Sequence, residues 1–284
     1  MEIVPLGHAL GAELRGVDIK GDLSKAEIDG ILSAWHAHHV IVFRGVDLTP
    51  EDQMAFSRRF GSLDDHAATP NDSLKGYPEL LEVTNIPKDG KPSPTRTAGR
   101  DWHSDYAYTS QPAAASMLYC TQKPSIGGDT MFCNMVRAYD ELSDKMKSIV
   151  EDLHSVYDFT LVTGAADRTA ENLAELQRLN PPVAHPCVRV HNESGIKALY
   201  VSQRTTHFDG MTRAESLPLI QYLCAHATRP ENVYRHQWRV GDLVCWDNRT
   251  TMHLALGDFD AAEPRHMLRT TIKGPKSGYV LAPA

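Results

Sequence analysis

At 284 residues and 42% hydrophobic content, the chain has room for one large domain or two small ones and is too apolar for disorder. Its formal net charge of −7 argues against nucleic acid, which calls for a basic face, and any anionic ligand must be met by locally concentrated arginine. There is no apolar run of the roughly 18 residues a membrane span needs, no signal-peptide pattern in Met1-Glu2-Ile3-Val4-Pro5, and the five cysteines (Cys120, Cys133, Cys187, Cys224, Cys245) show no CxxC, which together fit free thiols in a reducing cytoplasm.

Ser24-x-x-Glu27 is a capping box for a helix that runs into His39-Val40-Ile41-Val42-Phe43, a β-branched run expected to be a buried strand. Thr49-Pro50-Glu51-Asp52 starts a second helix with proline at its first position, and Gly61 is expected to cap its end. Residues 64–100 are rich in Pro, Asn, Asp, Gly and Lys and predict a long excursion with one strand, Leu80 to Val83. Ala113 to Thr121 and Thr130 to Cys133 predict strands; 135–153 predicts two helical pieces with Ser143 as the N-cap between them. Residues 160–182 are a polar helical or irregular insertion. Val188 to Val190 and Ala198 to Val201 flank the turn Asn192-Glu193-Ser194-Gly195. Thr212-x-x-Glu215 caps a helix through Ala227, with Pro218 expected to kink its first turns. Four strands close the chain, at 232–238, 243–246, 251–255 and 267–273. Many short strands with few long helices and no domain boundary predict a mostly β fold, a double-sheet jelly roll with flanking helices, as one domain over 1–284.

Among 14 histidines about one His-x-Asp arises by chance, and the chain holds two: His103-Ser104-Asp105 and His207-Phe208-Asp209. On a strand, positions i and i+2 share a face, so either pair could present two ligands together. Asp209-Gly210 runs into a capped helix and is expected to be a turn; His103 follows Trp102 and precedes the aromatic stretch Tyr106, Ala107, Tyr108. His253 is the candidate third ligand. Two imidazoles and one carboxylate leave half an octahedron open, the ligand set of non-haem ferrous oxygenases. Spacing alone leaves open that these are hydrogen-bonded structural histidines. The cluster His36, His38, His39 at a helix–strand junction is expected to be structural.

Seven fragments in order carry a resemblance: Phe56-Ser57-Arg58-Arg59-Phe60-Gly61, Trp102-His103-Ser104-Asp105, Ser116-Met117-Leu118, Gly127-Gly128-Asp129-Thr130, Trp246-Asp247-Asn248-Arg249, His253 and Arg265-x-x-x-Arg269. The chain resembles the taurine dioxygenase / 2,4-dichlorophenoxyacetate dioxygenase (TauD/TfdA) family of Fe(II)- and 2-oxoglutarate-dependent oxygenases, from about residue 55 to 273. Tyr234-Arg235-His236-Gln237-Trp238 is similar to the phenoxyacetate branch. The resemblance implies a distorted jelly roll (double-stranded β-helix) in which His103, Asp105 and His253 hold ferrous iron. It implies 2-oxoglutarate chelated to that metal, with its distal carboxylate on Arg265 and Thr130. Trp246 lines the same pocket or packs in the core. Arg269 would bind the acidic group of the prime substrate.

The implied reaction uses dioxygen, yields succinate and CO2, and hydroxylates a C–H bond, with C–O cleavage where the carbon bears an ether. Residues 64–100 and 160–182 would form the substrate lid. His66, inside the first, reads as a solvated loop histidine or as a substrate contact. Tyr108, Phe159, Arg204 and His207 are further pocket candidates by position. The implied substrate is a small organic anion, a carboxylate of the aryloxyalkanoate kind, or alternatively a sulfonate or alkyl sulfate such as taurine. A catalytically silent binding protein of the same fold is the remaining alternative. The family also suggests a homo-oligomer.

Overall fold

The computed structural model describes residues 1–66, 72–88, 90–162, 178 and 180–281. Its strands are β1 (Glu2–Pro5), β2 (Ala12–Arg15), β3 (Val40–Phe43), β4 (Ser73–Leu74), β5 (Tyr77–Thr84), β6 (Ala113–Gln122), β7 (Thr130–Asn134), β8 (His154–Tyr157), β9 (Val183–Pro186), β10 (Val188–Val190), β11 (Lys197–Leu199), β12 (Thr205–Phe208), β13 (Val233–His236), β14 (Leu243–Asp247), β15 (Thr251–Ala255), β16 (His266–Lys273) and β17 (Tyr279–Val280). An eight-stranded sheet has the order β1-β2-β3-β14-β6-β16-β5-β4; a three-stranded sheet, β13-β7-β15, and a four-stranded one, β12-β8-β9-β17, complete the body, with β10-β11 as a separate hairpin.

Period-two alternation in the large sheet sorts its side chains into two cores. Val40, Val42, Leu118, Val244, Trp246 and Met267 pack inward with Phe132 and Tyr234 of the small sheet. Their neighbours Ile41, Phe43, Met117, Tyr119, Cys245, Leu268 and Ile272 face the other way, against Ile31, Ala34 and Trp35 of the helix Lys25–His38 and Met54 and Phe56 of the helix Pro50–Ser57. A third core, including Met135, Ala138, Ile220, Leu223 and Met252, lies under the helices Met135–Asp140 and Arg213–Ala227. This is the two-layer arrangement the alternating strands predict, and no described helix is long and apolar enough to cross a membrane.

The capping boxes at Ser24 and Thr212, the helix start at Thr49-Pro50 and the N-cap at Ser143 form as expected, and Thr49 with Asp52 adds a capping box of its own. Two expectations need correction. The second helix ends at Ser57 with Arg58 as its C-cap, so Gly61 lies beyond it. Gly61 is needed for another reason: its φ is +147°, and a Cβ there would come within 2.9 Å of Ile272. The segment 64–100 is more than a loop with one short strand: β4 and β5 extend the large sheet, β5 pairing with β16. Pro218 leaves the helix Arg213–Ala227 continuous. Within the 160–182 insertion, residues 163–177 and 179 lie outside the described residues.

The turn into β7 needs glycine twice. Gly127 and Gly128 take φ of +75° and +71°, and a Cβ on Gly127 would sit 2.1 Å from the carbonyl oxygen of Asp258. Left-handed strain alone costs about 1–3 kcal/mol. Gly16 also has positive φ but nothing within 4 Å of its would-be Cβ. Gly127→Ala should therefore lose clearly more stability in a urea melt than Gly16→Ala, about 3 kcal/mol against about 1 kcal/mol; equal losses would mean that the Asp258 backbone yields freely.

Candidate active site

His103 and His253 face each other across an isolated antiparallel bridge outside the regular ladders. His103 N donates to the His253 carbonyl at 3.1 Å and His253 N to the His103 carbonyl at 2.8 Å. That bridge sets the two imidazoles 4.1 Å apart, centroid to centroid. Asp105 Oδ1 lies 3.7 Å from His103 Nε2, and its Oδ2 lies 3.8 Å from His253 Nε2. All three residues are buried and can each offer one ligand atom within a 4.8 Å cluster. Burial holds the His103 imidazole down to about 3 and that of His253 well below its usual value, so both rings are neutral near pH 7, as metal ligands must be.

Two of the three, His103 and Asp105, are oriented by partners whose polarity leaves no choice. His103 Nδ1 faces the Asp101 carbonyl at 2.7 Å, which can only accept, so Nδ1 carries the proton and Nε2 keeps its lone pair for a metal. Asn248 Oδ1 accepts from the Asp105 backbone N–H and from Trp246 Nε1, both at 3.1 Å. Its Nδ2 donates to Ser116 Oγ at 3.0 Å, and that hydroxyl donates to Asp105 Oδ2 at 2.6 Å. Burial opposes ionisation of Asp105, yet Arg269, the two imidazoles and the Ser116 hydroxyl hold its carboxyl below the usual range.

Beyond the triad, Arg265 and Arg269 share one face of β16, because the extra residue in its pairing with β6 falls on β6. Arg265 is buried; its Nε donates to the Gly128 carbonyl at 3.1 Å, and burial lowers its pKa to about 10. The nearby carboxylates are already spoken for: Arg235 holds both Asp129 and Asp258, each at 2.8 Å. No carboxylate of the described residues pairs with Arg265. Thr130 Oγ1 accepts from Trp238 Nε1 at 3.0 Å, and since the indole can only donate, the hydroxyl proton is left to donate elsewhere. Arg269 Nη1 donates to Asp105 Oδ1 at 3.1 Å, with its Cζ 5.9 Å from the Tyr106 ring centre.

His66 corrects the solvated-loop reading: it is 1% exposed and takes φ of +49°. Its Nδ1 lies 2.7 Å from the Tyr106 hydroxyl, so the excursion folds down onto the aromatic stretch after Asp105. Tyr108 is half-buried between Tyr106 and Phe159, at ring distances of 5.8 and 4.7 Å. Trp246 is in the core, 4.8 Å from the His253 ring, and is not among the residues lining the cavity beside Arg265. Arg204 forms a two-point pair with Asp101 at 2.5 and 2.9 Å, next to the metal ligands. His207 lies on β12 with its Nδ1 on the Thr206 hydroxyl and takes no part in the triad.

A second cluster, His36, His191 and Asp247, also has metal-like spacing. Its donors are already used. Ser194 N donates to His191 Nδ1 at 3.1 Å, so His191 Nε2 carries the proton it shares with Asp247 at 2.9 Å. Arg249 covers both Asp247 oxygens at 2.9 and 2.8 Å. The cluster is an ion-pair knot, and His36 is structural as expected.

Ser116, Asn248, Trp238 and Asp101 had no role assigned from sequence. The first two lie inside the fragments that carry the resemblance, but only the fold reveals which polar atom each one satisfies.

Comparison with known proteins agrees with this geometry. The model of the family "Taurine catabolism dioxygenase TauD, TfdA family" matches residues 2–271. An alpha-ketoglutarate-dependent 2,4-dichlorophenoxyacetate dioxygenase of Burkholderia sp. (strain RASC) is 35% identical over 265 residues, 90% of this chain and 89% of the relative. An alpha-ketoglutarate-dependent sulfate ester dioxygenase of Pseudomonas putida is 32% identical over 286 residues, 96% of this chain and 90% of the relative. The crystal structure of AAD-2 in complex with Mn(II) and N-oxalylglycine superimposes with a TM-score of 0.85 at 32% identity, covering 97% of this chain and 99% of that one. With the buried triad, the unpaired arginine and a match along nearly the whole chain, the protein belongs to the TauD/TfdA family and is an Fe(II)- and 2-oxoglutarate-dependent dioxygenase with the family's double-stranded β-helix.

Proposed function

We propose that His103, Asp105 and His253 hold the ferrous iron, that Arg265 and Thr130 hold the distal carboxylate of 2-oxoglutarate, and that Arg269 meets the anionic group of the prime substrate. The observation that carries this reading is the buried Arg265 guanidinium with no carboxylate partner among the described residues. A buried cation without a counter-ion is costly, and a cosubstrate carboxylate supplies the missing charge. Thr130 adds the one hydroxyl proton that Trp238 leaves free.

When bound, iron and 2-oxoglutarate supply the oxidising chemistry: one oxygen atom of O2 enters the new carboxylate of succinate as CO2 leaves, and the other is inserted into a substrate C–H bond. The protein binds, orients and excludes water. His103 presents Nε2 because Asp101 fixes its tautomer, and Asn248 with Ser116 aims the Asp105 carboxylate. Arg269 sits beside Asp105, which puts an anionic substrate group next to the metal ligands.

The substrate we favour is a small aryloxyalkanoate-like carboxylate. The aromatic wall Tyr106–Tyr108–Phe159 starts at Arg269 and suits a flat ring attached to an anion, and relatives include 2,4-dichlorophenoxyacetate dioxygenases. His66 supports that wall through the Tyr106 hydroxyl, and residues 64–100 and 160–182 are the proposed lid around it. Sulfate ester dioxygenase and alkylsulfatase relatives keep the alternative anion in view. Five buried free cysteines suit a reducing cytoplasm.

His103→Ala or Asp105→Ala should abolish oxygen-dependent succinate formation and stoichiometric iron, whereas His207→Ala should keep its iron; metal analysis of the three variants decides which His-x-Asp is the ligand pair. Asn248→Ala should weaken iron binding by about 10- to 100-fold with the ligands intact, measured by chelator competition. Arg265→Gln should weaken 2-oxoglutarate binding at least about 100-fold and Thr130→Val about tenfold, read from an anaerobic titration of the Fe(II) protein. Substrate-dependent succinate release, compared between aryloxyacetates and alkyl sulfates, tests the substrate class; equal or higher kcat/KM with alkyl sulfates would overturn the aryl reading.

A further inference from the structure

The cavity beside Arg265 is lined by two more arginines, Arg96 and Arg100, on the segment leading to the first metal ligand. Both are exposed at the surface of the cavity, and neither pairs with a carboxylate among the described residues. Arg96 Nη1 donates only to the Ser93 carbonyl, at 3.1 Å. Arg100 is held in place from below. A Cβ on Gly257 would lie 1.3 Å from Arg100 Nη1, so the guanidinium rests on the bare backbone of that glycine. It also lies over the Phe259 ring, with Cζ 5.5 Å from the centroid. The backbone beneath is fixed, because Ala255 N donates to the Gly99 carbonyl at 2.7 Å. Arg100 is close enough to Arg265 to disfavour the charge on that buried guanidinium.

In a chain of net charge −7, three arginines around one cavity whose described lining holds no carboxylate are a local positive field. Such a field concentrates anions, and a dianion more than a monoanion. We propose that Arg100, seated on Gly257 and aided by Arg96, forms an outer anion station that recruits the dicarboxylate cosubstrate and passes its distal carboxylate inward to Arg265. The inference rests on the reading of Arg265 given above. It gives Gly257 a purpose that turn geometry does not, since no left-handed φ requires glycine there.

The test is an anaerobic titration of the Fe(II) protein with 2-oxoglutarate, together with KM and kcat in air, on Arg100→Gln, Gly257→Ala and Arg265→Gln. Arg100→Gln should raise the dissociation constant and KM for 2-oxoglutarate about three- to tenfold at low salt, leave kcat at saturation within about twofold, and flatten the rise of KM with ionic strength. Gly257→Ala keeps the charge but displaces the guanidinium, and should produce part of the same KM effect. Iron affinity and Tm should stay at wild-type values in both. Unchanged KM and salt dependence in Arg100→Gln, with Arg265→Gln still crippled, would overturn the outer station and leave the cosubstrate pocket standing. Loss of iron affinity or Tm in step with KM would make Arg100 a structural residue and also overturn it. Retained 2-oxoglutarate binding in Arg265→Gln would instead remove the reading on which the station rests.

Discussion

Buried positive charge on one face of β16 is the constraint around which the site is arranged. A guanidinium taken out of water needs an anion or pays a heavy desolvation cost. Arg269 finds Asp105. Arg265 has no carboxylate partner among the described residues: its Nε donates to the Gly128 carbonyl, while Arg235 takes Asp129 and Asp258. On the proposed reading, a cosubstrate carboxylate supplies the counter-charge that the fold leaves out there.

The triad that could hold a metal is fixed by a similar matching of donors to acceptors. His103 and Asp105 lie on an irregular segment, and irregular backbone does not hold side chains to a fraction of an ångström by itself. It is stitched instead to β15 through the His103–His253 and Gly99–Ala255 backbone bonds, and to the core through Asn248. Each stitch has a forced direction. A carbonyl must accept from His103 Nδ1, an indole must donate to Asn248 Oδ1, and the Asn248 amide must then donate to Ser116. The chain of donors ends on the Asp105 carboxylate, which can only accept. Such a network has a single self-consistent proton arrangement, so the Asp105 carboxylate and the His103 ring are held in defined orientations.

How much of this was legible in the sequence follows from the range of the interactions. Capping boxes at Ser24 and Thr212 and the proline-led helix start at Thr49 are local, and they form as written. The strands carrying Thr130, Trp246, His253 and Arg269 are largely buried runs and sit close to where the sequence places them. The strands β8, β9 and β12 were not foreseen, because four polar and apolar residues in a row carry little periodic signal and depend on long-range pairing. Gly61 looked like a helix cap because a glycine after a helical run usually is one; here the deciding contact, Ile272, is more than 200 residues away in the chain. Context and the resemblance already favour His103-Ser104-Asp105 over the second His-x-Asp, and the strand pairing accounts for the difference: His103 faces His253, whereas His207 pairs along β8 and joins no metal-like cluster among the described residues.

His66 shows the same limit from the other side. A histidine among Pro, Asn, Asp and Gly has every compositional mark of a solvated loop. It is buried because residues that composition alone marks as a loop instead build the sheet edge: β5 docks on β16, and the His66 imidazole meets the Tyr106 hydroxyl. Tyr106 in turn takes φ of +57°, a conformation a tyrosine adopts only when its surroundings hold it there. The strain is placed one residue after Asp105 and against Arg269, so it fixes the ring beside that guanidinium rather than leaving it to rotate. The contacts that bury His66 and hold Tyr106 are thus strained and long-range, whereas the triad beneath them is set by a backbone bridge to a regular strand.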